Sequence, residues 1–469
     1  MILSGSGVVV GLLQGNSEAW VLDRWQFGGN LLYHYLYPQF NMGIILLIFI
    51  IETLHLRTRK DFYRKAADFW VKIFAPAFVI GAVTGIPLEF GFGTNWAIFS
   101  KVSGGVIGQT LAMEGVFAFF LESAFLAIYI YGQDMFGAWG RWVSALAILV
   151  GSWGSAYFIL SVNAWMQHPV GYEKLPDGQL ALKHFWEFLL NPWLYSHQLE
   201  HVLNGAVITG CFAMAGLGAF YVLSGRDVEY GRFFVTLGVV VGVFASLMQV
   251  WPFGDAESRA VSEQQPIKLA AQEGVFDTER GAPWVLIGQI SMEQQKIVNP
   301  VEIPRFLSFL AYRDWNSRVE GLDAFPKKLW PDNVPFVYYG FRSMVLLGFL
   351  FAGMMVLAAL LLLWGGRLFR ARWMLWVLML SPPLPFVANS VGWITAETGR
   401  QPWIAYGLLR TSQSASPLVG VGSLYFTLAG MLGVFALLSL LYAVIVLGLI
   451  RGGPEEEQEL EGEELKVGG

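Results

Sequence analysis

His34, His201, Met344 and Glu397 each lie on a strongly apolar stretch of the chain. Imidazole, thioether and carboxylate groups can hold iron in a non-covalently bound haem. Histidine with methionine makes a six-coordinate electron carrier, and a lone histidine or carboxylate leaves an iron position open for oxygen. Taken one at a time, a hydrogen bond to a neighbouring helix, or simple packing for Met344, is a sufficient explanation of each. Their shared depth in the membrane, derived below, points instead to a redox-metal site with more than one haem.

Two further groups could carry protons or bind a substrate. Glu114 and Glu122 are eight residues apart, about 12 Å along an α-helix and within a quarter turn of each other. Each carboxylate costs on the order of 2.5–3.5 kcal/mol in a membrane helix, so the two call for hydration, pairing or protonation. Neutral acids bonding between helices and a proton path both satisfy that demand. Glu52 and Glu89 fall near the ends of apolar stretches, where solvation is cheap, and Glu52 reads as structural. In the string Lys268-Leu-Ala-Ala-Gln-Glu273 the charges stand five residues apart, and an exposed ion pair is the default expectation. Arg342, two residues from Met344, is long enough to reach a haem propionate or to snorkel to the interface. Trp393 and Trp403 fit an interfacial belt, in a chain with 19 tryptophans.

The elements that must position these residues are membrane helices. The 469 residues are 55% hydrophobic and 14% charged, with a mean hydropathy of +0.51, which excludes an ordinary soluble domain. Apolar runs long enough to cross about 30 Å recur along the chain, without the roughly ten-residue alternation of a membrane barrel. The expected fold is an all-α integral membrane protein with about nine spans, at 28–54, 66–92, 106–132, 139–165, 199–223, 230–253, 337–364, 372–396 and 424–450. Pro76 and Pro87 in the second span, and Pro382, Pro383 and Pro385 in the eighth, should kink or break those helices. The pairs Gly81 with Gly85 and Gly238 with Gly242 should allow close helix packing.

Arg57, Arg59, Lys60, Arg64 and Lys65 follow the first span, and Arg367, Arg370 and Arg372 join the seventh to the eighth. Basic loops stay in the cytoplasm, so the N-terminus is expected outside and the C-terminus inside. All four ligand-type residues then lie near the outer face. The chain divides into an N-terminal external segment 1–27, six spans over 28–254, a large external loop 255–334 that also carries Glu257 and Glu279, three spans over 335–450 and an acidic cytoplasmic tail 451–469. Met1 to Gln14 has no basic lead, which argues against a cleaved signal peptide. Cys211, the sole cysteine, rules out an internal disulfide, a cysteine-held iron–sulfur cluster and CxxCH haem attachment. The net charge of −5 owes much to Glu455, Glu456, Glu457, Glu459, Glu461, Glu463 and Glu464 and says little about partners.

Four strings carry a resemblance: Gly85-Ile-Pro-Leu-Glu-Phe-Gly-Phe-Gly-Thr-Asn-Trp96; Glu114-Gly followed by Phe119-Phe-Leu-Glu-Ser123; Trp165-Met-Gln-His-Pro169; and Gly399-Arg-Gln-Pro-Trp403. From about Arg24 to Arg451 the chain resembles subunit I of the cytochrome bd-type quinol oxidases. It lacks a long insertion in the second half of the external loop and so is similar to the short-loop members. The resemblance implies a multi-pass haem subunit in a prokaryotic cytoplasmic membrane. Its reaction would be oxidation of quinol at the outer face and reduction of oxygen to water with cytoplasmic protons, building a proton gradient without pumping. It implies two haems b, one low-spin and one high-spin, and one haem d, or a haem b in place of haem d.

By the same resemblance His201 and Met344 ligate the low-spin haem, with Arg342 beside it and Trp393 among the cofactor-binding residues. His34 and Glu397 serve the two high-spin haems in an order left open. Lys268 and Glu273 bind quinol, Glu114 and Glu122 form a proton route, and Arg400 joins Glu397 at the catalytic centre. The implied partners are a second large membrane subunit, a small single-helix subunit in some members, quinol, oxygen and membrane lipid, with no nucleic acid. A proton-coupled secondary transporter is the rival from another class. It accounts for the buried glutamates and the proline-broken span but not for the ligand-type cluster.

Overall fold

The computed structural model describes residues 17–194 and 198–454. Residues 1–16 of the expected N-terminal segment and the glutamate-rich tail from Glu455 onward lie outside them. Among the described residues, eight helices are long and apolar enough to cross a membrane, and one bent helix pair is a candidate for a ninth span. The first four spans run in Ser17–Thr58, Asp61–Thr94, Ala97–Tyr131 and Gln133–Gln167. The fifth, sixth, seventh and ninth run in Leu199–Ser224, Val228–Met248, Val334–Leu363 and Val421–Gly452.

The eighth span is Arg372–Leu380 followed by Pro383–Arg400, bent by 42°. Prolines at 382, 383 and 385 supply no N–H to the preceding turn, which frees its carbonyls. Ser381 caps one of them, its hydroxyl donating to Leu378 O at 2.9 Å. The expected break is present here, whereas Pro76 and Pro87 lie inside one continuous helix.

Three local features go beyond the expected spans. The first helix begins at Ser17, ahead of 28. Its added turns are tied down: Asn95 Nδ2 donates to Asp23 at 2.8 Å and Arg24 pairs with Asp332 at 3.1 Å. The sixth span is followed by a kinked turn, Gln249–Gly254, with Trp251 in extended backbone, and then by helix Asp255–Gln264. The third span contains a π-helical stretch, Val116–Glu122, so α-helical spacing does not hold between Glu114 and Glu122.

Helix contacts follow small residues. A Cβ on Gly43 would stand 2.1 Å from Ala206 O, and one on Gly210 would stand 2.6 Å from Gly43 C, so the first and fifth spans meet backbone to backbone. The main core lies among the first, second, fifth, sixth and seventh spans and includes Ile44, Leu47, Phe74, Phe212, Phe234 and Met355. The ninth span buries little beyond Leu424 and turns its apolar side chains toward lipid or another chain.

The large loop is packed rather than extended. Its helix Pro266–Glu273 is buried from Ile267 to Glu273. Leu269 packs with Leu160, Trp193 and Val261, while Ile267, Ala270 and Ala271 pack with Phe276 and Val337 on the other side. The exposed ion pair expected of Lys268 and Glu273 is therefore corrected. Both side chains are buried, and each has partners of its own.

Candidate functional site

The loop helix covers one end of the bundle, where the fourth span ends, the fifth begins and the eighth ends. There Glu397 accepts hydrogen bonds at Oε1 from Asn163 Nδ2 at 2.9 Å, Arg400 Nη1 at 3.2 Å and Gln167 Nε2 at 3.4 Å. Its other oxygen accepts from Arg400 Nη2. Asn163 is oriented by Gln198 Nε2, which donates to its oxygen at 2.7 Å. Arg400 is 2% exposed, so its charge is committed to Glu397 and to Trp403 O, 3.3 Å from its Nε. This fixes one carboxylate in the donor-rich surroundings that suit a metal ligand.

Lys268 reaches the same place from the loop. It is 1% exposed, its Nζ donates to Gln167 Oε1 at 3.2 Å, and the ammonium lies 5.3 Å from the centroid of the Trp193 ring. A Cβ on Gly399 would come within 2.9 Å of Lys268 Cγ, so glycine in the Gly399-Arg-Gln-Pro-Trp403 string admits the lysine stem. Burial pulls the Lys268 ammonium down from 10.5 to about 8, a shift restrained by the nearby Glu257 carboxylate. Glu273, at the other end of the helix, accepts from both Nη1 and Nη2 of Arg342 at 3.1 Å. Burial raises its carboxyl, and the Arg342 charge opposes the rise. Arg342 also lies over the Tyr338 ring, 4.2 Å from its centroid.

Met344 follows Arg342 by two residues on the same seventh span and so points to a different face of that helix. A Cβ on Gly392 would be 2.5 Å from Met344 Sδ, so the thioether rests against bare backbone of the eighth span. Among the described residues, Trp393 Nε1 and Arg342 Nε are buried donors without a hydrogen-bond partner. Such orphaned donors suit the carboxylates of a haem. His201 opens the fifth span, and Gln249 Nε2 stands 3.1 Å from its Nδ1, 3.3 Å from its Nε2 and 3.1 Å from its carbonyl oxygen. Gln249 is held in turn by Asn204, which donates to its oxygen at 2.6 Å. The kinked turn that carries Gln249 packs against both the fifth and the seventh spans, between the helices of His201 and Met344.

His34 lies deeper. Thr84 donates its hydroxyl to Ile80 O at 2.7 Å and stands 3.1 Å from His34 Nδ1, which ties the imidazole to the second span. A Cβ on Gly85 would be 3.0 Å from His34 Cε1, so glycine at the head of the first family-like string makes room for the imidazole. Tyr35, the next residue, donates to Ser390 at 2.7 Å and sets this level of the first span beside the eighth. Glu114 lies beside Glu89 of the second span, and Glu122 lies beside Ser152 of the fourth. The π-helical stretch thus turns the two glutamates to different neighbours, in place of the single face that α-helical spacing predicts.

Glu52, read as structural, is buried and not solvated. It is 0% exposed and lies in a buried cluster at the far end of the bundle with Arg141, Tyr129 and Asp68. Gln167, Asn163, Gln198, Gln249 and Thr84 escaped notice in the sequence. Their signal is the same as that of the chosen residues, a polar side chain on an apolar span, and Gln167 stands inside the Trp165-Met-Gln-His-Pro169 string.

Residues 22–454 match the family model described as cytochrome bd terminal oxidase subunit I. The chain belongs to that family. It is 36% identical over 452 residues to the cytochrome bd ubiquinol oxidase subunit 1 of Bacillus subtilis (strain 168), covering 93% of this chain and 94% of that one. It is 29% identical over 503 residues to the cytochrome bd-II ubiquinol oxidase subunit 1 of Escherichia coli (strain K12), covering 93% and 97%. The bd oxidase of Geobacillus thermodenitrificans superposes with a TM-score of 0.85 at 29% identity, covering 94% of this chain and 100% of that one. Membership removes the secondary transporter as a rival.

Proposed function

We propose that this subunit is the haem-bearing chain of a quinol:oxygen oxidoreductase, working with a second large membrane subunit and, in some assemblies, a small single-helix one. The observation that carries the reading is the joining of a buried loop lysine, Lys268, to the Glu397–Arg400 pair through Gln167. A substrate-binding loop and a ligand-type carboxylate are thereby parts of one network.

In this reading His201 and Met344 hold a low-spin haem b, with Arg342 and the Trp393 indole as donors toward it. His34 and Glu397 serve a high-spin haem b and a haem d, or a further haem b in its place. The bound haems supply electron transfer and oxygen reduction. The chain supplies ligands, spacing and proton handling. Lys268 and Glu273 position the quinol headgroup and help take its protons to the outer side. The Glu114–Glu89 pair and Glu122 hold protons for the oxygen site, with cytoplasmic uptake. Two quinols release four electrons and four protons outside, and oxygen consumes four electrons and four protons from inside, so turnover charges the membrane without a pump. Orientation with the N-terminus outside and the C-terminus in the cytoplasm follows the positive loops.

The test is a reduced-minus-oxidised spectrum of the purified complex with haem extraction. His201→Ala and Met344→Ala should each abolish the low-spin signal alone. A folded complex without haem bands would overturn the reading, and extraction distinguishes haem d from a substituted haem b.

A further inference from the structure

The Gln167 amide makes contacts on both sides. Its oxygen accepts from Lys268 Nζ at 3.2 Å and from Gln265 Nε2 at 3.0 Å, and its nitrogen donates to Glu397 Oε1 at 3.4 Å. Gln167 is 1% exposed. Gln265 also donates to the Gln167 carbonyl at 2.7 Å, which anchors the start of the loop helix to the end of the fourth span. Lys268 also feels the charges of Glu257, Arg400 and Glu397, and the Gln167 amide is hydrogen-bonded to both Lys268 and Glu397.

We infer that Gln167 is a positioning residue that couples the loop lysine to the ligand strength of Glu397, so that a change at the quinol loop is felt at the haem that Glu397 serves. An ammonium on the amide oxygen polarises the amide and strengthens its N–H as a donor. A stronger donor draws charge from the Glu397 carboxylate and weakens it as an iron ligand. When Lys268 is withdrawn, Glu397 keeps more charge, favours ferric iron and lowers the potential of its haem. The inference rests on Glu397 being a ligand and Lys268 belonging to the quinol site.

The experiment is a double-substitution cycle in the assembled complex, read as the midpoint potential of the high-spin haem that Glu397→Ala removes. Lys268→Met and Gln167→Met should each lower that potential and raise the KM for quinol, and the double variant should shift the potential no further than the larger single shift. The low-spin potential should stay at its wild-type value in all three, which a general loosening of the fold would not allow. Should Gln167→Met fail to assemble, Gln167→Asn keeps the amide but withdraws it by one methylene and enters the same cycle. Additive shifts, or a wild-type potential in Lys268→Met, overturn the coupling alone. A high-spin signal that survives Glu397→Ala overturns both the coupling and the ligand assignment beneath it.

Discussion

Two buried charge clusters sit at opposite ends of the bundle and are built differently. At the far end Arg141 contacts carboxylates directly, Glu52 at 2.5 Å and Asp68 at 2.7 Å, with its guanidinium 4.6 Å from the Tyr129 ring centroid. All four residues come from membrane spans, so the cluster ties the first four together. At the loop end Asn163, Gln167, Gln198 and Gln265 stand among Glu397, Arg400 and Lys268. An amide donates from one side and accepts on the other and can be re-aimed as charges change, whereas a buried ion pair tolerates neither loss nor rotation. The first arrangement holds the bundle together, and the second can respond to ligands.

The sharpest way to break this contrast is Arg141→Met. It leaves Glu52 and Asp68 without their shared cation and should cost about 3–5 kcal/mol, read as a fall in thermal stability and in the amount of assembled complex. A variant as stable as wild type would show that the far-end cluster is not structural. At the loop end Glu397→Gln should leave the subunit folded, with its low-spin signal intact, while one high-spin signal disappears. Arg400→Gln, which releases the carboxylate without removing it, should reduce oxygen reduction by about 10–100-fold.

The pH dependence separates activity from stability. Lys268 is protonated below about 8 in the folded protein and below 10.5 when unfolded. Quinol oxidation should therefore fall as pH rises through about 8, and Lys268→Met should flatten the profile. Between 8 and 10.5 the unfolded chain binds the extra proton, so this group's contribution to stability rises with pH while turnover declines. The smallest effect belongs to Arg24→Ala. Its pair with Asp332 is solvent-accessible at 31% and 47%, and its loss should change stability by no more than about 1 kcal/mol. A larger loss would mean that surface pairs at the loop end bear structural load as well.

The sequence by itself determined the candidate spans, because apolar length and proline placement are local properties that a membrane reads directly: eight long apolar helices and a pair bent at Pro382. It also marked His34, His201, Met344 and Glu397, since a ligand-type side chain in an apolar run is conspicuous wherever it points. Tertiary structure alone decided the partners. The burial of Glu52, the pairing of Arg342 with Glu273 rather than Lys268 with Glu273, and the turning of Glu122 toward Ser152 all depend on which helix faces which. The cost of a buried charge is set by neighbours distant in sequence, and no local pattern records them.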